Sequence, residues 1–302
     1  MNYDSFLTPL FFRKLQQLKI HTRRAASGQN QGAHSSLRRG HGLEFADFVP
    51  YAPGMDFRHI DWNALARTDR LFVRQFREER DLNVVVLLDT SASMNYPPSA
   101  SDHNKLEFAK GITLALAYIA LADGDTVRVI DLARVRGKKG MSPAYRNPKS
   151  LSRIVQFLKD AEPAQEVDIS TAIRHAIAGQ KLPGKCFLVS DFLYEEEKQI
   201  EVLDILRGKS FDVAAVRILS PEELSLAGVG SQSAVRDIET GEELEIGITP
   251  GLVKEYKRVL ADHLASLERY CARNRVEYIL LSSDESLESA VLKKLPAVGI
   301  LH

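Results

Sequence analysis

Cysteine and long apolar runs are scarce in this chain of 302 residues. The two cysteines, Cys186 and Cys271, are too few for a disulfide framework, and Cys186 falls inside an apolar, strand-like run, which favours a reducing compartment. No stretch reaches the roughly 20 apolar residues that a membrane-spanning helix requires. Basic side chains at Arg13, Lys14 and Lys19 do not fit a signal peptide. We therefore expect a cytoplasmic protein with no integral membrane span.

A surplus of charge is also missing, because 40 basic residues balance 40 acidic ones. The basic run at Arg134, Arg136, Lys138 and Lys139 has only Tyr145 nearby as an aromatic partner, so it does not resemble a nucleic-acid-binding surface. The eight histidines are scattered and show no metal-ligand spacing, which argues against a zinc site. We expect no nucleic-acid partner and no zinc.

Alternating strand-like and helix-like segments begin at Asn83, in a chain whose apolar content of 44% is sufficient for a substantial core. The predicted strands cover residues 84–88, 126–132, 185–190, 211–219 and 276–282. The predicted helices cover residues 105–122, 150–161, 170–178, 200–206, 250–274 and 287–295. Strands that alternate with helices at this spacing predict an α/β fold, with a doubly wound, mostly parallel sheet and helices on both faces.

The residues before this alternation predict an N-terminal extension, residues 1–80, that packs on a main domain of residues 81–302. The extension begins with an amphipathic helix from Leu7 to Thr22 and continues with a loop over 25–42 that is rich in Gly, Ser and Gln and is expected to be mobile. Within the main domain, a turn-forming sequence at 239–241 separates two strand-like runs. We therefore predict a hairpin insertion near residues 231–248.

One junction carries the strongest functional signal. The apolar run from Val84 to Leu88 ends at Asp89, and Ser91 and Ser93 follow at alternate positions. Ligands of open α/β sheets gather at the carboxyl ends of such strands. The junction offers one carboxylate and two hydroxyls, and an all-oxygen donor set suits a hard cation such as Mg2+ better than zinc or copper. The sequence therefore predicts a cation site at this loop.

The pattern formed by Asp89, Ser91 and Ser93 resembles the metal-ion-dependent adhesion site of the von Willebrand factor A family. In that family a first strand ends in D-x-S-x-S, a second loop supplies a threonine, and the end of a later strand supplies an aspartate. Asp191 matches that aspartate, since it follows the strand-like run 187–190. The resemblance implies an A-like fold, a bound Mg2+, Mn2+ or Ca2+, and an open coordination position that a partner's carboxylate fills.

The second loop departs from this family pattern. Aligning residues 167–173 with it places Val167 at the threonine position, with Asp168 beside it. Ser170 or Thr171 supplies the missing hydroxyl only if the loop shifts. Asp168 either contributes a carboxylate to the metal, which places it among the candidate ligands, or caps the helix that follows. Capping is the commoner role for an aspartate directly before a helical run.

Four segments upstream of the sheet form a second and more specific pattern: Gly40–Phe45, Tyr51–Trp62, Ala66–Arg67 and Leu71–Arg74. They resemble the signature that precedes the A-like domain in the bacterial domain-of-unknown-function 58 family, although Met55 stands where that family often has an acidic residue. With the later strands, the resemblance covers nearly the whole chain. It implies an adaptor or chaperone-like partner of a MoxR-type AAA+ ATPase, or contact with the client of that ATPase.

These observations favour a non-enzymatic interaction module over two alternatives. A metal-dependent phosphohydrolase of the haloacid dehalogenase type also begins with an aspartate at a strand end, but it uses D-x-D, and the second position here is Ser91. The sequence also lacks the G-x-S-x-G, H-E-x-x-H and phosphate-binding-loop signatures. In the other alternative the A-like site is degenerate and metal-free, and Asp89 only stabilises a turn.

Overall fold

A computed structural model describes most of the chain, and its residues fall into two compact units, Met1–Arg24 with Leu82–His302 and Ala25–Asp81. The described residues are 8–22, 43–52, 55, 57, 60–78, 82–98, 103–137, 139–164, 167–180, 184–225, 232–236, 243–247 and 249–302. The loop predicted to be mobile, residues 25–42, lies outside them, as does the start of the upstream signature at residues 40–42.

Helices and strands alternate through the larger unit. The helices, numbered along the whole chain, are α1 (Pro9–Leu15), α2 (Trp62–Thr68), α3 (Lys105–Ala122), α4 (Leu151–Lys159), α5 (Ile169–Ala178), α6 (Glu196–Gly208), α7 (Pro221–Ser225), α8 (Pro250–Arg273), α9 (Leu287–Ser289) and α10 (Leu295–Ala297). The strands are β1 (Leu43–Pro50), β2 (Phe72–Glu78), β3 (Asn83–Leu88), β4 (Thr126–Asp131), β5 (Lys185–Ser190), β6 (Asp212–Leu219), β7 (Gln232–Arg236), β8 (Glu243–Gly247) and β9 (Glu277–Ser282).

The larger unit is built on a sheet of five parallel strands in the order β4-β3-β5-β6-β9. Val86, near the middle of β3, is paired with Val129 of β4 and with Phe187 of β5. The predicted α/β class and doubly wound, parallel sheet are therefore confirmed, and the arrangement is consistent with an A-like fold. In addition, β7 pairs with β8, and in the smaller unit β1 pairs with β2, both antiparallel.

Helices cover both faces of the sheet, which explains why its strands read as continuous apolar runs. Val84, Val86 and Leu88 of β3 belong to one core cluster, which also contains the apolar residues of α3. Val85 and Leu87 face the opposite cluster, which α5 and α6 help to form. Successive side chains of a strand point to opposite faces, so a strand with both faces covered has no solvent-exposed face.

Helix α3 is enclosed more completely than the others. It contacts β3 and β4 on one side, and α1 and α4 also pack against it. Its predicted bounds are confirmed: the side chain of Asn104 accepts a hydrogen bond from the backbone N of Glu107 at 3.0 Å, and the helix ends before Gly124, which has a φ of 84°. Capping by asparagine and a left-handed glycine are the usual signals for these two ends.

The amino-terminal helix is shorter than its sequence pattern predicts. The apolar periodicity indicated a helix to Thr22, whereas α1 ends at Leu15. After the helix, Ile20 forms an antiparallel bridge with Leu301, because the backbone N of Lys19 donates to the carbonyl of His302 at 2.8 Å. A contact with the far end of the chain therefore overrides the local helical pattern.

Among the described residues, no helix combines the length and the apolar character needed to cross a membrane.

Candidate metal centre

The loop after β3 begins beside β5 and is anchored in the core. The backbone N of Asp89 donates to the carbonyl of Val189 at 2.9 Å, which continues the sheet ladder by one residue beyond β3. A short 3-10 turn, Ala92–Asn95, follows. Within it Met94 is fully buried, and its backbone N donates to the carbonyl of Ser91 at 3.1 Å. The loop that carries the predicted ligands is therefore held at both ends.

The oxygen atoms predicted to bind a cation are close together in this loop. One carboxylate oxygen of Asp89 accepts a hydrogen bond from the backbone N of Ser91 at 2.9 Å, and the other accepts from the hydroxyl of Ser190 at 2.6 Å. The hydroxyl oxygens of Ser91 and Ser93 are 3.0 Å apart. The structure thus places one carboxylate and two hydroxyls, all from one short segment, at the carboxyl edge of the sheet.

Asp191 supplies a second carboxylate at the same edge. It directly follows β5, the neighbour of β3, and is only 1% exposed, while Asp89 is 2% exposed. Burial, followed by the charge of Asp191, raises the pKa of Asp89 to about 6. Two buried carboxylates at the same edge of the sheet form a place where a cation would be stabilised. The predicted pair is therefore together in space, although its members are 102 positions apart in the sequence.

The turn after Asp191 is tightly constrained. Phe192 is buried and has a φ of 53°, in the left-handed region that bulky residues rarely adopt. Its carbonyl accepts hydrogen bonds from the side chain of Gln199 at 3.0 Å and from Arg217 at 3.4 Å. The backbone N of Leu193 donates to Asp191 at 3.2 Å. Such conformations persist where surrounding contacts enforce them, frequently at functional sites; here they fix the direction of the Asp191 carboxylate.

A lysine that the sequence analysis missed forms an ion pair with Asp191. The Nζ atom of Lys105, at the start of α3, is 2.7 Å from Oδ2 of Asp191 and 2.6 Å from Oε1 of Glu223. Lys105 is fully buried. Burial opposes its charge, but the two carboxylates outweigh that effect and raise the pKa of Lys105. Burial raises the pKa of Glu223, an effect that Lys105 partly offsets.

Sequence reasoning missed Lys105 and Glu223 because both are distant from Asp191 along the chain and neither forms a motif with it. One signal was present: Lys105 is the first residue of a helix whose residues 105–122 are otherwise mostly apolar. Charged residues are rarely fully buried unless they are paired. A lysine on a helix predicted to be buried therefore indicates an acidic partner, but the sequence does not identify which acid.

The second loop does not supply the missing hydroxyl. Val167, which the alignment places at the threonine position, packs against the core cluster on the α5 side of the sheet. The hydroxyl of Ser170 donates to Glu201 at 2.7 Å, and that of Thr171 donates to the carboxylate of Asp168. Both hydroxyls are therefore engaged at the start of α5.

Asp168 caps the helix that follows it. Its carboxylate accepts a hydrogen bond from the backbone N of Thr171 at 3.4 Å, and Nζ of Lys198 is 3.1 Å away. The side chain is 50% exposed. The hydroxyl of Thr171, with support from Lys198, lowers the pKa of Asp168 to about 2. The capping alternative is confirmed, and a role for Asp168 in binding metal stays a prediction.

The donor set fits a hard divalent ion held by few charges. Asp89 and Asp191 offer carboxylates, and Ser91 and Ser93 offer hydroxyls, all oxygen ligands of the kind that Mg2+ and Ca2+ prefer. In the part of the chain that the structure describes, no three His, Cys, Asp or Glu side chains form a metal-binding group. The serine hydroxyls would therefore have to complete the coordination, and Lys105 would have to share Asp191 with the ion.

Fold and loop together define an α/β domain with an oxygen-rich site at the carboxyl ends of two neighbouring strands, β3 and β5. The model of the family described as "Protein of unknown function DUF58" matches residues 47–266, which include both carboxylates and both serines, and the chain belongs to this family. The family resemblance predicted from the upstream segments is thereby confirmed. Uncharacterised proteins of Mycobacterium bovis and Mycobacterium tuberculosis are 25% identical over 268 residues, which cover 86% of this chain and 81% of each relative.

Solved structures that are similar to this chain include three with TM-scores below 0.5. The protein BatB from Bacteroides thetaiotaomicron is 18% identical, with a TM-score of 0.41 over 72% of this chain and 98% of its own. An aerotolerance-related membrane protein from Bacteroides fragilis is 19% identical, with a TM-score of 0.39 over 72% of this chain and 97% of its own. The pilus adhesin SpaC from Lactobacillus rhamnosus GG is 11% identical, with a TM-score of 0.43 over 74% of this chain and 32% of its own.

Proposed function

We propose that this protein is a non-enzymatic interaction module that binds Mg2+, or alternatively Mn2+ or Ca2+, and uses the ion to dock a carboxylate of a protein partner. One observation carries the proposal: the buried carboxylates of Asp89 and Asp191 are at neighbouring strand ends, next to the paired hydroxyls of Ser91 and Ser93. Burial of two acids at one edge of a sheet is costly unless a positive charge accompanies them.

The choice of ligands supports docking rather than hydrolysis. Asp89, Ser91, Ser93 and Asp191 would hold the ion through their side-chain oxygens. Serine hydroxyls carry no charge, so an ion bound mainly by hydroxyls and few carboxylates keeps positive charge with which to attract a further carboxylate. Two residues after Asp89, where a phosphohydrolase of the haloacid dehalogenase type has its second acid, the chain has Ser91, whose neighbour is the hydroxyl of Ser93.

The family resemblance suggests the partner and the compartment. Within this proposal the docking partner is a MoxR-type AAA+ ATPase or its client, and the protein acts as an adaptor or chaperone-like factor. The proposed location is the cytoplasm, in agreement with the free, buried thiols of Cys186 and Cys271. The balance of 40 basic and 40 acidic residues supports a protein partner over a nucleic acid.

A second candidate, a domain whose degenerate site holds no metal, is favoured by two observations. Lys105 already supplies a positive charge to Asp191 at 2.7 Å, and Val167 supplies no hydroxyl. In that case the only role of Asp89 would be to stabilise its own loop by accepting hydrogen bonds from Ser91 and Ser190. The two candidates differ in one measurable property, the response of the folded protein to a divalent ion.

Thermal unfolding with and without Mg2+ or Mn2+ tests metal binding. A ligand that binds only the native state stabilises it by about 2.7 kcal/mol at 100 times its Kd, so the melting temperature of the wild type should rise. Asp89→Ala should abolish the rise. Asp262→Ala, which removes an aspartate with 71% side-chain exposure on α8, serves as the matched control and should respond like the wild type. No rise in the wild type, or an equal rise in Asp89→Ala, contradicts the proposal.

Binding of the purified full chain to a purified MoxR-type ATPase tests docking. Binding should require Mg2+, disappear in EDTA, and weaken in Ser91→Ala, because that variant removes a neutral ligand of the ion. Ser152→Ala, at an exposed position of α4, is the control and should bind normally. Binding that is indifferent to EDTA and to the loss of Ser91 would show that docking does not use the ion.

A further inference from the structure

The position of Lys105 is the feature of the site that the proposed function leaves unexplained. Its ammonium group is fully buried between Asp191 and Glu223, at 2.7 and 2.6 Å. Oδ2 of Asp191 is thus already bound to a cation that belongs to the chain. The other oxygen of Asp191 accepts from the backbone N of Leu193 at 3.2 Å. A divalent ion that approaches Asp191 therefore meets an occupied carboxylate and a like charge.

Glu223 can keep Lys105 in an ion pair when a divalent ion binds Asp191. Its second carboxylate oxygen accepts from the backbone N of Ser220 at 2.8 Å, and its backbone carbonyl accepts from the hydroxyl of Tyr256 at 2.7 Å. The Glu223 side chain is 17% exposed, so this carboxylate is close to the protein surface, whereas Asp191 is not. Lys105 can therefore keep one strong ion pair while it gives up the other, with no change in the backbone of α3.

The charges of the group match a divalent ion. Asp89, Asp191 and Glu223 carry three negative charges when ionised. Lys105 carries one positive charge, so the net charge of the group is minus two. One divalent ion neutralises this charge. Without the lysine, the same ion would leave the site negative, and a partner carboxylate would be repelled rather than attracted.

We propose that Lys105 is a resident competitor at the metal site: it competes with the divalent ion for Asp191, stays paired with Glu223 when the ion binds, and leaves the loaded site neutral enough to accept a partner's carboxylate. This inference rests on the proposed function and adds to it a resident cation that weakens metal binding and makes docking possible. Lys105 acts through Asp191 and does not itself contact the partner.

The test is a Mn2+ titration of the purified full-length protein, with the paramagnetic resonance of free Mn2+ as the readout. Lys105→Met removes the competitor and should bind Mn2+ about 10-fold more tightly than the wild type, a typical size for a coupling between two binding events. Lys110→Met is the matched control, because this lysine is also buried in α3 but pairs with Glu107 at 2.8 Å. It should bind Mn2+ like the wild type.

A second variant covers the case in which Lys105→Met does not fold. The double variant Lys105→Met, Glu223→Gln removes one positive and one negative charge, so the net charge of the site is unchanged and only the competition is lost. The glutamine amide oxygen can still accept from the backbone N of Ser220, as Glu223 does. This variant should also bind Mn2+ more tightly than the wild type, which bulk electrostatics alone would not produce.

The possible results separate the two proposals. Tighter binding by the double variant, with Lys110→Met unchanged, supports the competition, whereas tighter binding by Lys105→Met alone is explained by the lost positive charge and overturns it. Equal affinity in the wild type and both Lys105 variants overturns the role of Lys105 while the proposed function stands. Binding by the variants but not by the wild type supports the resident cation and overturns metal-dependent docking. No binding by any of the proteins overturns both.

Discussion

Two buried groups of one lysine, one aspartate and one glutamate lie at opposite edges of the same sheet. At the amino edge, Lys185 is paired with Asp212 at 3.3 Å and with Glu277. At the carboxyl edge, Lys105 is paired with Asp191 and Glu223. Both lysines are fully buried, and the two groups are alike in composition. Their surroundings differ.

The amino-edge group is built entirely from strands. Lys185, Asp212 and Glu277 are the first residues of β5, β6 and β9, which are consecutive neighbours in the sheet. The carboxyl-edge group takes its members from a helix start, a strand end and a short helix, and a further carboxylate, Asp89, lies beside it. The extra acid and the adjacent serine hydroxyls set the carboxyl-edge group apart from the amino-edge group. The comparison teaches that the buried lysine is common to both groups, so the proposed metal site depends on the additional acid and hydroxyls and not on the buried ion pair.

The largest effect is expected from breaking the structural group. Lys185→Met would leave Asp212 and Glu277 buried without their lysine and should reduce the free energy of unfolding by about 3–5 kcal/mol, as removal of one partner of a buried ion pair typically does. Urea unfolding measures the loss, which Mg2+ should not reverse. Lys257→Met, at an exposed position of α8, is the control. A loss no larger than that of the control would mean that the amino-edge group is not structural.

The second largest effect is a dependence of stability on pH, which is expected only for the carboxyl-edge group. The pKa of Asp89 is about 6 in the folded protein against an ordinary value of 3.8, so between these values the native state keeps a proton that the unfolded chain has released. Stability without metal should therefore fall by about 3 kcal/mol as the pH rises from about 4 to above 6.

Asp89→Asn isolates this contribution, because the variant lacks the titrating group and the difference between its urea stability and that of the wild type should carry the pH dependence. Added Mg2+ should restore stability at pH 7 and have little effect below pH 5, where Asp89 is protonated. A pH profile that is the same in the wild type and Asp89→Asn would contradict the assignment of a raised pKa to Asp89.

The smallest effect separates the two roles of Asp168. Asp168→Ala removes the cap of α5 and should cost about 1 kcal/mol of stability, with no change in affinity for Mn2+. Asp168→Asn retains capping ability and should be close to the wild type in stability. If Asp168→Asn binds Mn2+ more weakly than the wild type, Asp168 is a ligand of the ion as well as a cap.

The elements predicted from the sequence differ in how well they match the structure, and the difference has a physical cause. The bounds of α3 and β5 match, because caps, a left-handed glycine and unbroken apolar runs mark them locally. Helix α1 was predicted to be too long, since the bridge between Ile20 and Leu301 is invisible to any local pattern. The same distinction applies to the site: Asp89, Ser91 and Ser93 are neighbours in the sequence, whereas Lys105 and Glu223 reach Asp191 only through the packing of α3 and α7.

The sequence by itself determined the class of the fold, the family and the oxygen-rich loop, because these depend on periodicity and on residues a few positions apart. The tertiary structure alone decided how the charges of that loop are balanced. Coulomb interactions in a buried site act between groups that are close in space, whatever their separation along the chain. Burial and the second acid raise the pKa of Asp89, and Lys105 is bound to Asp191, both through contacts that only folding creates.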